Sequence, residues 1–425
     1  MMRAVPVVGL LVALAGTPIA AQQQEDKLEP PELGSYRRWG FLRARPGIEL
    51  SNLGYDSNIL STSTGQPVSD ITATLSPKLD GLILFGSKAF ITLREQFDYT
   101  FYAEHSDQNF WNNSFTARAT VPFRSFGVFG QGSLDDLRWR PFDQEDIRIK
   151  SRRREIGVGV ILQPGWGTEI ELARYANRWR YEDPQAPSMA GTVDERLDRN
   201  EAWTTLDLSY QLRGRTRALL RVENRQIEFL SPFDTGTGAL IERDSEEWRT
   251  LAGFRLGRGS SLVGHMLVGW GRIDAQDPLL PDLSELIGEL DTTWIVGSHT
   301  RVRLVAERSP GFAVTDSCDA TTCVPTTYYL RTFGLIRTVH YFTNLFGGEF
   351  AVRRGRLDFP EVGVGTTRQD DIRHYEVGVR LRLRSAADGR RVEYKLTVGR
   401  YRRDSNIAGF DQDKTTFGFS ALLGF

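Results

Sequence analysis

The sequence predicts an all-β fold: a single transmembrane, antiparallel, up-and-down β-barrel of about 18 strands, with short periplasmic turns and longer outer loops. Three observations predict it. From Trp39 onward apolar and polar residues alternate with period two, the mark of strands with two unlike faces. Each alternating run is about 14 residues long, whereas a soluble strand is usually ~5–6 and a tilted bilayer-crossing strand needs ~9–11 plus overhang. The links between runs alternate too, short then long, as in barrels that cross an outer membrane.

Met1 to Ala21 reads as a secretory signal peptide. Arg3 supplies the positive start, Val5 to Ala15 the apolar stretch, and Ile19-Ala20-Ala21 a small-residue cleavage site. Residues 22–37 are polar, contain Pro30-Pro31, and read as a flexible periplasmic tail. The barrel is expected over 38–425. Its strands are expected near 38–53, 70–86, 88–104, 109–123, 125–140, 147–163, 167–182, 200–213, 216–230, 243–257, 260–274, 284–297, 299–313, 326–340, 344–357, 369–384, 390–403 and 412–425. The alternation is clearest at Phe417, Phe419, Ala421, Leu423 and Phe425, and clear too in Tyr375, Val377, Val379, Leu381 and Leu383 against His374, Glu376, Arg380, Arg382 and Arg384. The apolar face is interrupted in the runs near 167–182 and 284–297. An even strand number puts both ends of the barrel sheet on the periplasmic side. Trp39, Tyr55, Phe85, Trp111, Phe123, Trp270, Tyr328 and Tyr394 stand near strand ends and suit interfacial aromatic girdles.

The physical reason for closure is that lipid offers the backbone no hydrogen-bond partner, so a spanning sheet must close on itself. No segment has 18 consecutive apolar residues, which excludes a helical membrane protein. The 53 basic and 54 acidic side chains nearly cancel, which gives no bulk-charge reason to expect nucleic acid as a partner.

Motifs for catalysis are absent: there is no Gly-x-Ser-x-Gly and no His-Glu-x-x-His. The five histidines show no metal-ligand spacing, so neither a cofactor nor a bound metal is expected. His105, beside Glu104 and Asp107, is the one candidate for a barrel enzyme acting on lipid or polysaccharide, and a solvated loop residue is the plainer reading. Cys318 and Cys323 share one loop. In an exported protein such a pair is expected to form a disulfide that clips the loop.

The face opposite the apolar one is rich in arginine. Arg43, Arg45, Arg94, Arg118, Arg153, Arg221, Arg255, Arg301, Arg303, Arg380, Arg382 and Arg384 are expected to line a pore. Arginine rings favour anions, and 47 of the 53 basic residues are arginine, which suits planar two-point contact with carboxylate or phosphate. The expected function is an outer-membrane channel for anionic solutes or a polysaccharide chain. The competing reading is structural: arginines and glutamates pair across the wall, as Arg153-Glu155, Arg221-Glu223 and Glu376-Arg380 would. A plugged structural or adhesive barrel is the third alternative.

The terminal Phe425, after alternating aromatics, resembles the C-terminal signal by which the assembly machinery of the outer membrane recognises bacterial barrels. Arg45-Pro46-Gly47-Ile48-Glu49-Leu50 followed by Gly54-Tyr55-Asp56-Ser57-Asn58-Ile59-Leu60 resembles the first strand and loop of the β-barrel porin-2 family. Members often carry Gly-Tyr-Asp-Ser-Asn at this place, and some are linked with exopolysaccharide export. The resemblance implies a Gram-negative outer membrane with lipid and lipopolysaccharide as surroundings. Asp56-Ser57-Asn58-Ile59 recurs as Asp404-Ser405-Asn406-Ile407, one strand away across the closing seam. Repeated Asx turns explain the copies simply. Asp56, Asn58, Asp404 and Asn406 are the candidate ligands if the copies form a rim site for a cation or a sugar.

Overall fold

The computed structural model describes residues 27–425 apart from 58, 60–67, 140–148, 183–186, 189–190, 193–196, 235–239, 258–260, 313–315, 319–322, 326–327, 360–366, 385–390, 408–410 and 425. The barrel strands are β1 (Leu42–Asp56), β2 (Asp70–Phe85), β3 (Ala89–Tyr102), β4 (Phe110–Pro122), β5 (Phe126–Trp139), β6 (Ile149–Gly165), β7 (Thr168–Glu182), β8 (Arg199–Arg213) and β9 (Thr216–Phe229). The ring continues through β10 (Ser245–Leu256), β11 (Leu262–Ala275), β12 (Leu283–Val296), β13 (Thr300–Phe312), β14 (Tyr328–Tyr341), β15 (Phe346–Asp358), β16 (Gln369–Arg384), β17 (Arg391–Ser405) and β18 (Gln412–Gly424). Each strand pairs antiparallel with the next, and β18 pairs with β1, so the sheet closes. All 18 expected strands are present, with ends shifted by at most four residues.

The largest shift is at the start. Arg37–Trp39 forms a separate short strand that turns back onto Leu42–Ala44 of β1. It continues the place of β18, whose pairing with β1 stops at Gly424 opposite Gly47.

The faces follow from the register. Leu172, Leu220, Phe254, Val268, Val377, Val379 and Leu396 point outward and are exposed apolar surface, as a lipid-facing wall requires. The alternate positions point inward. The girdle residues Trp39, Tyr55, Phe85, Trp111, Phe123 and Trp270 are about half exposed on the outside. Tyr328 departs from the expectation: it is fully buried, and its hydroxyl donates to the Pro281 carbonyl of a neighbouring outer link.

One bulge re-aims the wall at the seam. The register of β1 shifts between Ser51 and Gly54 against β2, and between Leu50 and Leu53 against β18. Asn52 takes the left-handed conformation that the extra residue demands, with φ 53°. At Gly54 the backbone runs so close to the Phe417 carbonyl that no side chain fits. Before the bulge Arg43, Arg45 and Glu49 face inward, and after it Gly54 and Asp56 do.

Candidate functional site: the inner wall

The expected pore arginines whose side chains are described all stand on the inward parity of their strands. Directly opposed residues on adjacent strands sit ~5 Å apart, closer than residues two apart along one strand, so cross-strand partners compete with same-strand ones for each arginine. Arg45 holds one oxygen of Asp80 at 2.8 Å, and Arg94 holds the other at 3.2 Å. Arg221 grips its register partner Asp207 at two points, 2.8 and 2.9 Å. Arg303 grips Asp291 likewise, at 2.9 and 2.7 Å. Arg153 meets Glu155 and, at 3.7 Å, Asp135. Arg382 reaches Glu393 at 3.3 Å and lies over the Tyr341 ring. Arg118 lies over the Phe129 ring, 3.7 Å from its centre. The backbone of Arg384 is in β16, and its side chain lies outside the described residues.

Two carboxylates act as nodes. Glu349 is fully buried and takes contacts from Arg337 at 3.2 Å, Lys395 at 3.3 Å and Arg380. Asp370 is also fully buried. Arg368 binds it at 2.8 Å, and Arg403 binds the same group from β17. Of the three pairs expected along single strands, only Arg153–Glu155 forms. Glu223 takes Arg225 at 2.9 Å, and Glu376 takes Lys395 at 2.8 Å.

The inward face also carries many acids beyond those in the expected pairs. Asp135, Glu169, Glu171, Glu201, Glu247, Asp291, Glu307 and Glu349 all share the arginine face. Period two carries the signal for each of them, because each stands an even number of residues from an inward arginine or its register partner.

Several inward arginines escape this matching; Arg118 and Arg353 lie instead over the Phe129 and Phe333 rings. Arg43, Arg255 and Arg301 have no carboxylate within 4.0 Å among the described residues. All three stand within two residues of a periplasmic strand end: second in β1, next to last in β10, second in β13.

The segment read as a flexible tail contributes to the same end of the lumen. Lys27 forms ion pairs with Glu171 and, at 3.6 Å, with Glu169 on the inward face of β7. Leu28 is buried against Phe129, Ile161 and Ala173. Its side chain fills the space that a Cβ on Gly127 would need. Tyr36 lies beside Arg45, back at β1. Residues 27–36 therefore cross the inside of the periplasmic mouth, from the β5–β7 wall to the seam.

The two Asp-Ser-Asn copies do not converge. Asp56 is buried on the inward face, while Asp404 points outward and is held by Arg402 at 2.6 Å. Asn406 accepts from the Gln369 amide at 2.8 Å and donates to the Thr367 carbonyl, as a turn residue does. Asn58 lies outside the described residues. His105 Nδ1 donates to Asp70 at 3.0 Å, and that carboxylate also takes the backbone amides of Ala103, Glu104 and His105. Asp70 thus staples an outer link. Cys318 and Cys323 are register partners in a short outer ladder, and their side chains lie outside the described residues. No cluster of three or more metal-ligating residues occurs among the described residues.

Residues 37–423, the whole wall, match the model of the family described as "Putative beta-barrel porin 2". The chain belongs to this family. It is a porin-type barrel of the outer membrane. No curated protein matches it. Among solved structures the fold is similar to that of Pseudomonas aeruginosa OpdK with vanillate, at 13% identity and TM-score 0.48, over 90% of this chain and 99% of that one. It is similar as well to Pseudomonas aeruginosa OccK2 (OpdF), at 15% identity and TM-score 0.48, over 90% and 98% of the two chains. A BenF-like porin from Pseudomonas fluorescens Pf-5 is similar at 11% identity and TM-score 0.47, over 90% and 99%.

Proposed function

We propose that this family member is an outer-membrane channel favouring anionic solutes, with its selectivity set at the periplasmic mouth. The observation that carries this reading is the position of the unmatched arginines. Along most of the wall each guanidinium has a carboxylate, so its field on a passing ion is largely cancelled. Arg118 and Arg353 lack one but are covered by aromatic rings, while Arg43, Arg255 and Arg301 keep their charge uncancelled at one end. A ring of uncompensated arginines lowers the barrier for anions. Residues 27–36 narrow the same mouth and bring solutes close to it.

Reversal potentials across planar bilayers in a salt gradient test this reading. The native channel is expected to prefer chloride over potassium. In the R43Q/R255Q/R301Q channel the permeability ratio is expected to fall toward one, by about two-fold or more. Cation preference in the native channel, or a ratio untouched by the three substitutions, overturns it. An acidic polysaccharide belongs to the same cargo class, and an acidic oligosaccharide added to either chamber is then expected to interrupt the current.

Export by a cleaved signal peptide ending near Ala21 and a Cys318–Cys323 disulfide are part of the proposal. Mass spectrometry of the mature protein, with and without reductant, reads both.

A further inference from the structure

The outer wall of β6 and β7 interrupts its apolar face with arginines. Arg152, Arg154, Arg174 and Arg178 all point outward and are exposed. Arg152 is matched by Asp136 at 3.4 Å and Glu182 at 3.1 Å, and Arg174 donates to Thr204 at 2.8 Å. Arg154 and Arg178 are register partners, side by side, and neither has an ion pair or hydrogen bond among the described residues.

Their height on the wall matters. Arg154 is 11 residues from Gly165, and Arg178 is 11 residues from Gly167, at the periplasmic turn. At ~3.3 Å per residue and a tilt of ~40°, both stand about 28 Å above that turn, just past an apolar band ~25 Å tall. Beside them the wall is dented. A hollow of about 340 Å³ opens outward there, because the outward register partners Ala176 and Ala202 are small. Arg154, Arg178 and Asn200 edge it, and Glu228 closes the far side.

A guanidinium pair at the outer boundary above an apolar dent matches an amphiphile with a phosphate head and acyl tails. We propose that Arg154 and Arg178, with the Ala176–Ala202 dent, bind a phosphorylated lipid of the outer leaflet. The phosphate takes charge-assisted hydrogen bonds from both guanidiniums, and an acyl chain lies in the dent. Asn200 and Glu228 offer hydrogen bonds to hydroxyls of a sugar head.

The second outward arginine cluster serves as an internal control. Arg400 is bound to Asp413 at 2.8 Å and Arg402 to Asp404 at 2.6 Å. Its guanidiniums are already satisfied.

The test titrates the full-length mature protein in detergent with diphosphorylated lipid A, with the same lipid stripped of phosphate, and with inorganic phosphate. The lipid with phosphate is expected to bind about ten-fold or more tightly than either other probe. R154Q/R178Q and, separately, A176L/A202L are expected to weaken it by about ten-fold, while R400Q/R402Q stays within about two-fold. All substituted positions face outward, with Ala202 partly buried and the others exposed, and heat-dependent gel migration verifies that each barrel is folded. The proposal fails if R154Q/R178Q binds like the native protein, if R400Q/R402Q loses as much, or if inorganic phosphate binds as well as the lipid.

Discussion

The inner and outer walls of this barrel both carry arginine, and the two sets live differently. Inside, Arg45, Arg94, Arg221, Arg303 and Arg380 each meet a carboxylate across a strand gap. Outside, on β6 and β7, Arg154 and Arg178 meet each other and a row of apolar side chains. A lumen must hold its shape against water, and lipid on the other side screens nothing. The lesson is that an arginine count says little about selectivity. What matters is which arginines lack a partner, and where.

The sharpest way to break the inner pattern is at Asp370. D370A removes the carboxylate that Arg368 and Arg403 share in a buried site. The barrel is expected to lose about 3–5 kcal/mol against urea in lipid vesicles. A loss below about 1 kcal/mol would assign the node no structural weight. Glu349 comes next. E349Q leaves Arg337, Arg380 and Lys395 around a neutral amide, with an expected cost of about 2–3 kcal/mol and a rise in anion preference in bilayers. Unchanged selectivity there limits the anion-attracting element to the periplasmic mouth. Deleting residues 22–35 removes Lys27 and Leu28 from that mouth. Single-channel conductance is expected to increase, with L28A giving a smaller increase, and equal conductance in all three proteins would show that the segment does not narrow the path. The smallest effect is expected on the outer wall. R400Q removes an exposed pair and should shift stability by no more than about 1 kcal/mol.

Much of this was legible in the sequence, because a bilayer forces period two on every strand and closure on the sheet. Strand number, face and ends came from that constraint alone. The interruption near 167–182 was legible as a defect. Its cause is the outward row Arg174, Arg178 and Arg180 on β7. The interruption near 284–297 comes from outward Ser284, Gly288 and Thr292 on β12. Partner choice was not legible, since the alternation along one strand does not say which carboxylate lies across the gap. Arg221 passes over Glu223, two residues on, for Asp207 on the neighbouring strand. The docking of Lys27 and Leu28 was hidden for another reason. A polar stretch with one leucine carries no periodicity, and only Glu169, Glu171 and the bare Gly127 on a distant wall give it somewhere to sit.

The short strand Arg37–Trp39 has a bearing on how neighbours meet. Below Gly47 the first strand outlasts the last one, and Leu42–Ala44 would present raw amide and carbonyl groups at the foot of the cylinder. By folding back, Arg37–Trp39 darns that gap. A molecule without it would offer a sticky hem, to which a stranger's extended segment could stitch itself.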